Sequence, residues 1–169
     1  VGVADRSSDM LDIYKTDDTL LSSQSIKDSA DGENGALIAF SGTHFAYLSG
    51  QDYVPSIPDI TPEVAADKAA TIHVRKLGSA DDLYSLDLGK VADIRSIAIS
   101  DDGSNLSLLR DSSIEIYRDG TLMFKDNIFE PQQAQWIAGA KLIYSSVTGG
   151  IWQYDATTKQ AHALFAADY

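Results

Sequence analysis

No cysteine occurs anywhere in the 169 residues, and that absence removes disulfide staples, thiolate metal sites and thiol catalysis together. Long apolar runs are missing as well. No stretch approaches the roughly 18 consecutive apolar residues of a membrane helix, and no charged-then-apolar opening reads as a secretory leader. Basic residues are scarce: 13 Lys plus Arg against 25 Asp plus Glu leave a net charge of −12. That charge repels nucleic-acid backbones and anionic lipid surfaces, so neither is expected as a partner, nor is direct insertion into a membrane. The acids are scattered through loops, where they serve solubility. Short chemical signatures are lacking too: there is no His-x-His, no Glu-x-x-His and no Gly-x-Ser-x-Gly elbow. No metal or cofactor is expected. The chain begins with Val1 rather than Met, which leads us to expect an exported protein, or one held outside a membrane by a segment beyond this sequence.

What is present is a pattern. Arg95–Asn127 reads as four short antiparallel strands, Ser96–Ser100, Asn105–Arg110, Ser113–Arg118 and Thr121–Asn127. Asp-Asp-Gly-Ser, Asp-Ser and Asp-Gly separate them, all turn-forming residues. Other stretches are imperfect copies. LDIYK at Leu11–Lys15 matches IEIYR at Ile114–Arg118 position by position, and with Leu20–Ile26 it makes a half unit preceded by a polar lead-in over residues 1–10. A second unit spans 36–88 and a last one 134–165, linked to the template by Phe129–Gln133. Third strands begin at Leu11, Ile72, Ile114 and Ile151, about 61, 42 and 37 residues apart. Once an insertion of roughly 20 residues is taken out of the first interval, all lie near the 40–45-residue period of propeller blades.

That insertion, Gln51–Ala70, holds three of the four prolines and cannot be a central strand, because each Pro removes a ladder donor. Thr61 before Pro62 and Glu63 fits a helix N-cap, so a short helix is expected over Pro62–Lys68. Lys27–Gly35 is dense in turn formers and is expected to be a surface loop; its acids lack the Asp-x-Asp-x-Asp-Gly register of a calcium loop.

IAISDDGSNLSLL at Ile97–Leu109 is similar to the S-P-D-G-x-x-L-A-F hairpin of TolB-type and WD-type propeller blades. GAKLIYSSVTGGIWQYDATTKQAHAL at Gly139–Leu164 looks like the remainder of such a blade. The Trp-Asp dipeptide and the Gly-His pair of strict WD repeats are missing, and Gln153 stands where better copies have Ile116 and Val74. The resemblance implies an all-β, propeller-like array of about three and a half blades, in one domain with one short helical or irregular insertion. Closed propellers have four to eight blades, so bare blade edges are expected to pair with another copy or with a protein partner.

Candidate chemistry is thin. His44, His73 and His162 show no short spacing between any two and read as strand or turn residues. Asp81-Asp82 and Asp101-Asp102 read as turn acids, since neighbouring side chains point apart. Tyr14, Tyr84, Tyr117, Tyr144, Trp152 and Tyr154 read as filling between blades, and Trp136 as lying near the ring centre. Tyr53, Val54, Ile57 and Ile60 differ, being apolar residues in an insertion that the repeat does not need; they are the expected partner-binding residues. The expectation is a non-enzymatic interaction or assembly module. The alternative, small-ligand or carbohydrate binding, or lyase or hydrolase chemistry in a central pocket, requires His44, His73 and acidic side chains to converge.

Overall fold

Antiparallel pairing of short strands accounts for every regular element that the computed structural model describes. The structure describes residues 2–5, 10–14, 17–26, 31–32, 35–50, 69–90, 93–138 and 140–166. The first sheet contains β1 (Gly2–Asp5), β2 (Met10–Tyr14) and β3 (Leu20–Ser25), in that order. A two-residue ribbon, β4 (Asp31–Gly32) with β5 (Gly35–Ala36), follows within the expected loop. Three four-stranded meanders come next. Blade two holds β6 (Ile38–Ser41), β7 (His44–Ser49), β8 (Ala70–Lys76) and β9 (Asp82–Gly89). Blade three holds β10 (Ile94–Ile99), β11 (Asn105–Arg110), β12 (Ser113–Arg118) and β13 (Thr121–Asn127). The last blade holds β14 (Pro131–Ile137), β15 (Lys141–Ser146), β16 (Ile151–Asp155) and β17 (Gln160–Phe165). Among the described residues no helix is long and apolar enough to cross a membrane.

Two expectations change. The lead-in is not featureless: Gly2–Asp5 pairs with Met10–Tyr14 from Gly2↔Ile13 to Asp5↔Met10, so the opening unit has three strands rather than two. A strand without apolar alternation forms there because backbone pairing, not side-chain pattern, makes a ladder. The link before the last blade is also shorter, since β14 already begins at Pro131. A proline at the first position of a strand costs no ladder bond that the rest of the strand needs. The helix expected at Pro62–Lys68 lies outside the described residues.

Period-two side-chain alternation gives each sheet two faces, and the sheets stack face to face. Leu11, Ile13 and Ile26 of the first sheet meet Phe45 and Tyr47 of blade two. On its other face blade two presents Ala46, Leu48, Ile72 and Val74 to Ile97, Ile99, Leu106, Leu108 and Tyr117. Blade three in turn offers Leu109, Ile114 and Ile116 to Trp136, Leu142, Tyr144 and Tyr154. These residues are all at most 9% exposed, and each buried aliphatic side chain stabilises by about 1.5–3 kcal/mol. Blade three is therefore covered on both faces by neighbouring blades, as a repeat array requires. Leu122 of the same blade, by contrast, is 49% exposed. It lies on the outer strand beyond a bulge at Ile116/Tyr117, past the reach of the adjoining sheet.

Turns hold blades together as well as strands. Gly103 closes the Asp101–Asp102 turn through its N–H to the Ser100 carbonyl at 2.9 Å, with φ +75°. A Cβ there would lie 2.9 Å from the His44 ring of the preceding blade, so both the backbone angle and the close approach demand glycine.

Candidate functional site

The place where function can attach is the root of the insertion in blade two. β7 and β8 pair without a break from His44↔Lys76 to Ser49↔Thr71. Gly50 follows with φ +88°, and a Cβ on it would collide with the Ala69 carbonyl oxygen. The two ends of the insertion are thus clamped backbone to backbone. Its apolar residues Tyr53, Val54, Ile57 and Ile60 lie outside the described residues.

Beside the root the structure brings together side chains that no sequence spacing announced. His73 Nδ1 is 2.7 Å from Asp82 Oδ2, and its Nε2 is 3.0 Å from Ser49 Oγ. Arg75 Nε donates to the other Asp82 oxygen at 2.5 Å, while its Nη1 donates to the Ser25 carbonyl of the first sheet at 2.8 Å. Tyr47 stacks on the His73 ring with centroids 4.8 Å apart, and the Arg75 guanidinium lies 5.1 Å from the Tyr47 ring centre. Register explains the convergence. His73 opposes Tyr47 on one side and Ser85 on the other, Arg75 opposes Asp82, and Ser49 lies diagonally from His73, so the group shares the face turned toward the first sheet. Burial pushes the Asp82 carboxyl up, but hydrogen bonds from His73 and Arg75 outweigh it and hold the group below the usual range.

The order Ser49, His73, Asp82 resembles an acyl-transfer relay, yet its surroundings serve a structural role. Ser49 Oγ has a second partner in the Thr71 carbonyl at 3.3 Å. When His73 Nδ1–H donates to Asp82, its Nε2 accepts the Ser49 hydroxyl proton; when both ring nitrogens are protonated, Nε2–H donates to Ser49 and the hydroxyl turns to Thr71. In the first state Ser49 is held to β8 through His73 and in the second through the Thr71 carbonyl, so either way the β7 end of the insertion is fastened to β8. The adjoining cavity of about 390 Å³ is lined by Tyr47, Arg75 and the Ser23–Ser25 and Gly78–Ala80 segments, rather than by Ser49 or His73.

The histidines do not converge. His44 and His73 share blade two, but His44 Nδ1 meets the Asp101 carbonyl of blade three at 2.8 Å, whereas His162 is exposed on β17 opposite Gln153. Asp101 also accepts from the Ser41 hydroxyl, and Asp102 caps its own turn through Ser100 and Ser104. Asp102 therefore bonds within its own turn as expected of a turn acid, whereas Asp101 ties its turn to blade two and Asp82 opens β9 and pairs with His73 and Arg75 rather than capping a turn. Among the described residues no group of three His, Cys, Asp or Glu side chains is placed to hold a metal ion. Near the ring centre, β6, β10 and β14 line a cavity of about 230 Å³ whose polar side chains are Ser41, Gln135 and the Trp136 indole, the rest being Ala, Ile and Phe. Trp136 does lie at the inner strand, as its position in the repeat implied.

A second polar cluster sits between blades two and three. Glu115, 7% exposed, accepts from Lys125 at 2.8 Å, Tyr117 at 2.8 Å and Arg110 at 3.0 Å, and Arg110 also reaches Asp93 at 2.6 Å. Burial raises the Glu115 carboxyl, but the donors from Lys125, Tyr117 and Arg110 prevail and hold it below its ordinary value. Burial and the Glu115 charge together push the Tyr117 phenol up, so it stays a donor.

No protein-family model matches the chain, and no curated protein does. Solved structures do. The chain superposes on the Dos1 propeller with a TM-score of 0.58 at 10% identity, covering 94% of this chain and 40% of that one. A chain of the mitotic checkpoint complex matches at 0.54 and 14% identity, covering 95% and 46%, and HIRA(644–1017) at 0.50 and 7%, covering 74% and 38%. The chain therefore spans less than half the length of these structures, and identities so low speak to fold alone. What strand order, face-to-face stacking and these likenesses agree on is a partial β-propeller with WD40-like four-stranded blades.

Proposed function

We propose that this chain is a non-enzymatic protein-interaction module, in which a rigid stack of blades presents the Gln51–Ala70 insertion, with Tyr53, Val54, Ile57 and Ile60 as its contact residues. One observation carries the reading. The blade is complete without the insertion, because β7 and β8 keep their ladder down to Ser49↔Thr71. The corresponding connection takes only residues 111–112 in blade three and 147–150 in the last blade. A loop that a repeat does not require, rooted by a clamped Gly50 and the Ser49–His73–Asp82 relay, is a presented element. The likeness to a chain of the mitotic checkpoint complex supports the reading, since there a propeller of this fold is part of an assembly.

The test replaces residues 51–68 by Asn-Gly, a two-residue hairpin connection. The shortened chain is expected to keep its circular dichroism spectrum and its melting temperature within a few degrees. It is expected to lose the proteins that the intact chain captures from an extract of its source, as quantified by mass spectrometry. Capture that survives the replacement moves the contact surface elsewhere on the blades.

A further inference from the structure

The stack has a direction. In every third strand one set of side chains turns forward to the next sheet and the alternate set turns back. The forward residues Leu11 and Ile13, Ile72 and Val74, and Ile114 and Ile116 are 0–9% exposed, each pair covered by the sheet that follows. The same positions of β16 are Ile151 and Gln153. Cross-strand register sets Gln135, Ile143 and Gln153 in one row, Ile151 beside Phe165, and Ile137 opposite Lys141. Ile137, Ile143, Ile151 and Phe165 thereby form a diagonal apolar stripe across this face, and Ile137, Ile151 and Phe165 are 44%, 37% and 58% exposed. At the other end of the stack, β2 turns Met10, Asp12 and Tyr14 backward, all half-buried, with Leu20 beside Tyr14 and 52% exposed.

We infer that the forward face of the last blade receives the backward face of the first sheet of a second copy, so that two chains close one ring. Continuity is the first argument: each forward face inside the chain is covered by the backward face of a sheet of the same architecture, and this seat extends that series. Complementarity is the second. Met10, Tyr14 and Leu20 offer apolar surface to the stripe. The aliphatic residue at the centre of the other forward faces becomes Gln153 where the incoming sheet brings Asp12, and an amide N–H donates well to a carboxylate. Inside the chain, the backward-facing His73 and Glu115 are satisfied by partners of their own sheets. Asp12, by contrast, meets the Tyr14 hydroxyl at 3.5 Å, the long limit of a hydrogen bond. Counting is the third. Each chain contributes four stacked sheets, so two contribute eight, within the four to eight blades of closed propellers. The contact is head-to-tail and made twice around a two-fold axis, which closes rather than polymerises. Because each copy carries −12, added salt strengthens the pair by screening its repulsion.

This inference does not rest on the insertion, and replacing residues 51–68 leaves it intact. Sedimentation velocity of the full chain in moderate salt is expected to show a dimer. Gln153→Glu places a second carboxylate against Asp12 and weakens the dimer about tenfold or more, the factor equivalent to 1.4 kcal/mol. Adding Asp12→Lys to that variant restores it. Circular dichroism of each variant confirms that the blades remain folded. A wild-type chain that stays monomeric into the high-micromolar range overturns the inference and leaves both faces to other proteins or further blades. A dimer that Gln153→Glu does not weaken, or that Asp12→Lys fails to rescue, overturns it as well, by placing the contact elsewhere.

Discussion

Blade three and the last blade share strand order, length and hairpin geometry, yet equivalent positions have different fates. Ile116 is 1% exposed at the centre of a buried face, whereas Gln153, its counterpart, lies on a face that no described residue covers. Glu115 is a buried acid ringed by Lys125, Tyr117 and Arg110. Its counterpart Trp152 packs on Tyr144 with ring centroids 5.7 Å apart. What separates the two blades is their neighbours: one is packed on both faces and the other on one. A blade tolerates polar residues wherever stacking ends, and it needs a charge network wherever an acid is kept inside. The bare ends foreseen as strand edges are, among the described residues, also whole faces.

Three substitutions can break or sharpen this contrast, and the largest effect belongs to the doubly covered blade. Ile116→Ala is expected to lower the unfolding free energy by about 2–5 kcal/mol, because the cavity it leaves between two blades cannot collapse. Urea denaturation measures it, and a loss below about 1 kcal/mol would contradict coverage of this face by the last blade.

Glu115→Gln comes second, with an expected loss of about 1–3 kcal/mol near neutral pH, since Arg110 and Lys125 lose the charge that satisfies them. The sign of its pH dependence follows from the carboxyl being held below its ordinary value of 4.5. The stabilisation is complete above that value and disappears as pH falls through the lower folded value. The gap between wild type and variant should therefore close in acid. A gap that persists unchanged at about pH 2, well below the ordinary carboxyl range, would mean that packing rather than charge sets the effect.

Smallest is Gln153→Ile, which restores the side chain that the better repeats carry. Measured by denaturation in dilute solution, it should shift stability by no more than about 0.5 kcal/mol, the range of surface substitutions. A gain of 2 kcal/mol or more, about that of burying an aliphatic side chain, would show that the same chain covers this face.

Much of the fold was legible because its signals are local. The Asp-Asp-Gly and Asp-Gly turns and the IEIYR-like third strands set both the strand count per blade and the period. The first strand was missed because Gly2–Asp5 has no apolar alternation to announce it; only pairing with Met10–Tyr14 makes it a strand. The exposure of Leu122 was not legible, because alternation tells which residues share a face but not how far the covering neighbour extends. At the site, the insertion was visible from its prolines, while the relay at its root was not. Ser49, His73 and Asp82 are 24 and 9 residues apart along the chain and meet only through β7–β8–β9 register.

The sequence alone determined that this is an acidic, cysteine-free, strand-and-turn repeat chain with one insertion that its blades do not need, since turn chemistry and two-residue alternation act over a few neighbours. Only the tertiary structure decided which face of each strand is buried, which acid is enclosed by cations, and which faces no described residue covers. Those outcomes depend on what packs against a sheet, and a covering neighbour some 40 residues away leaves no mark in the local pattern of the strand it covers.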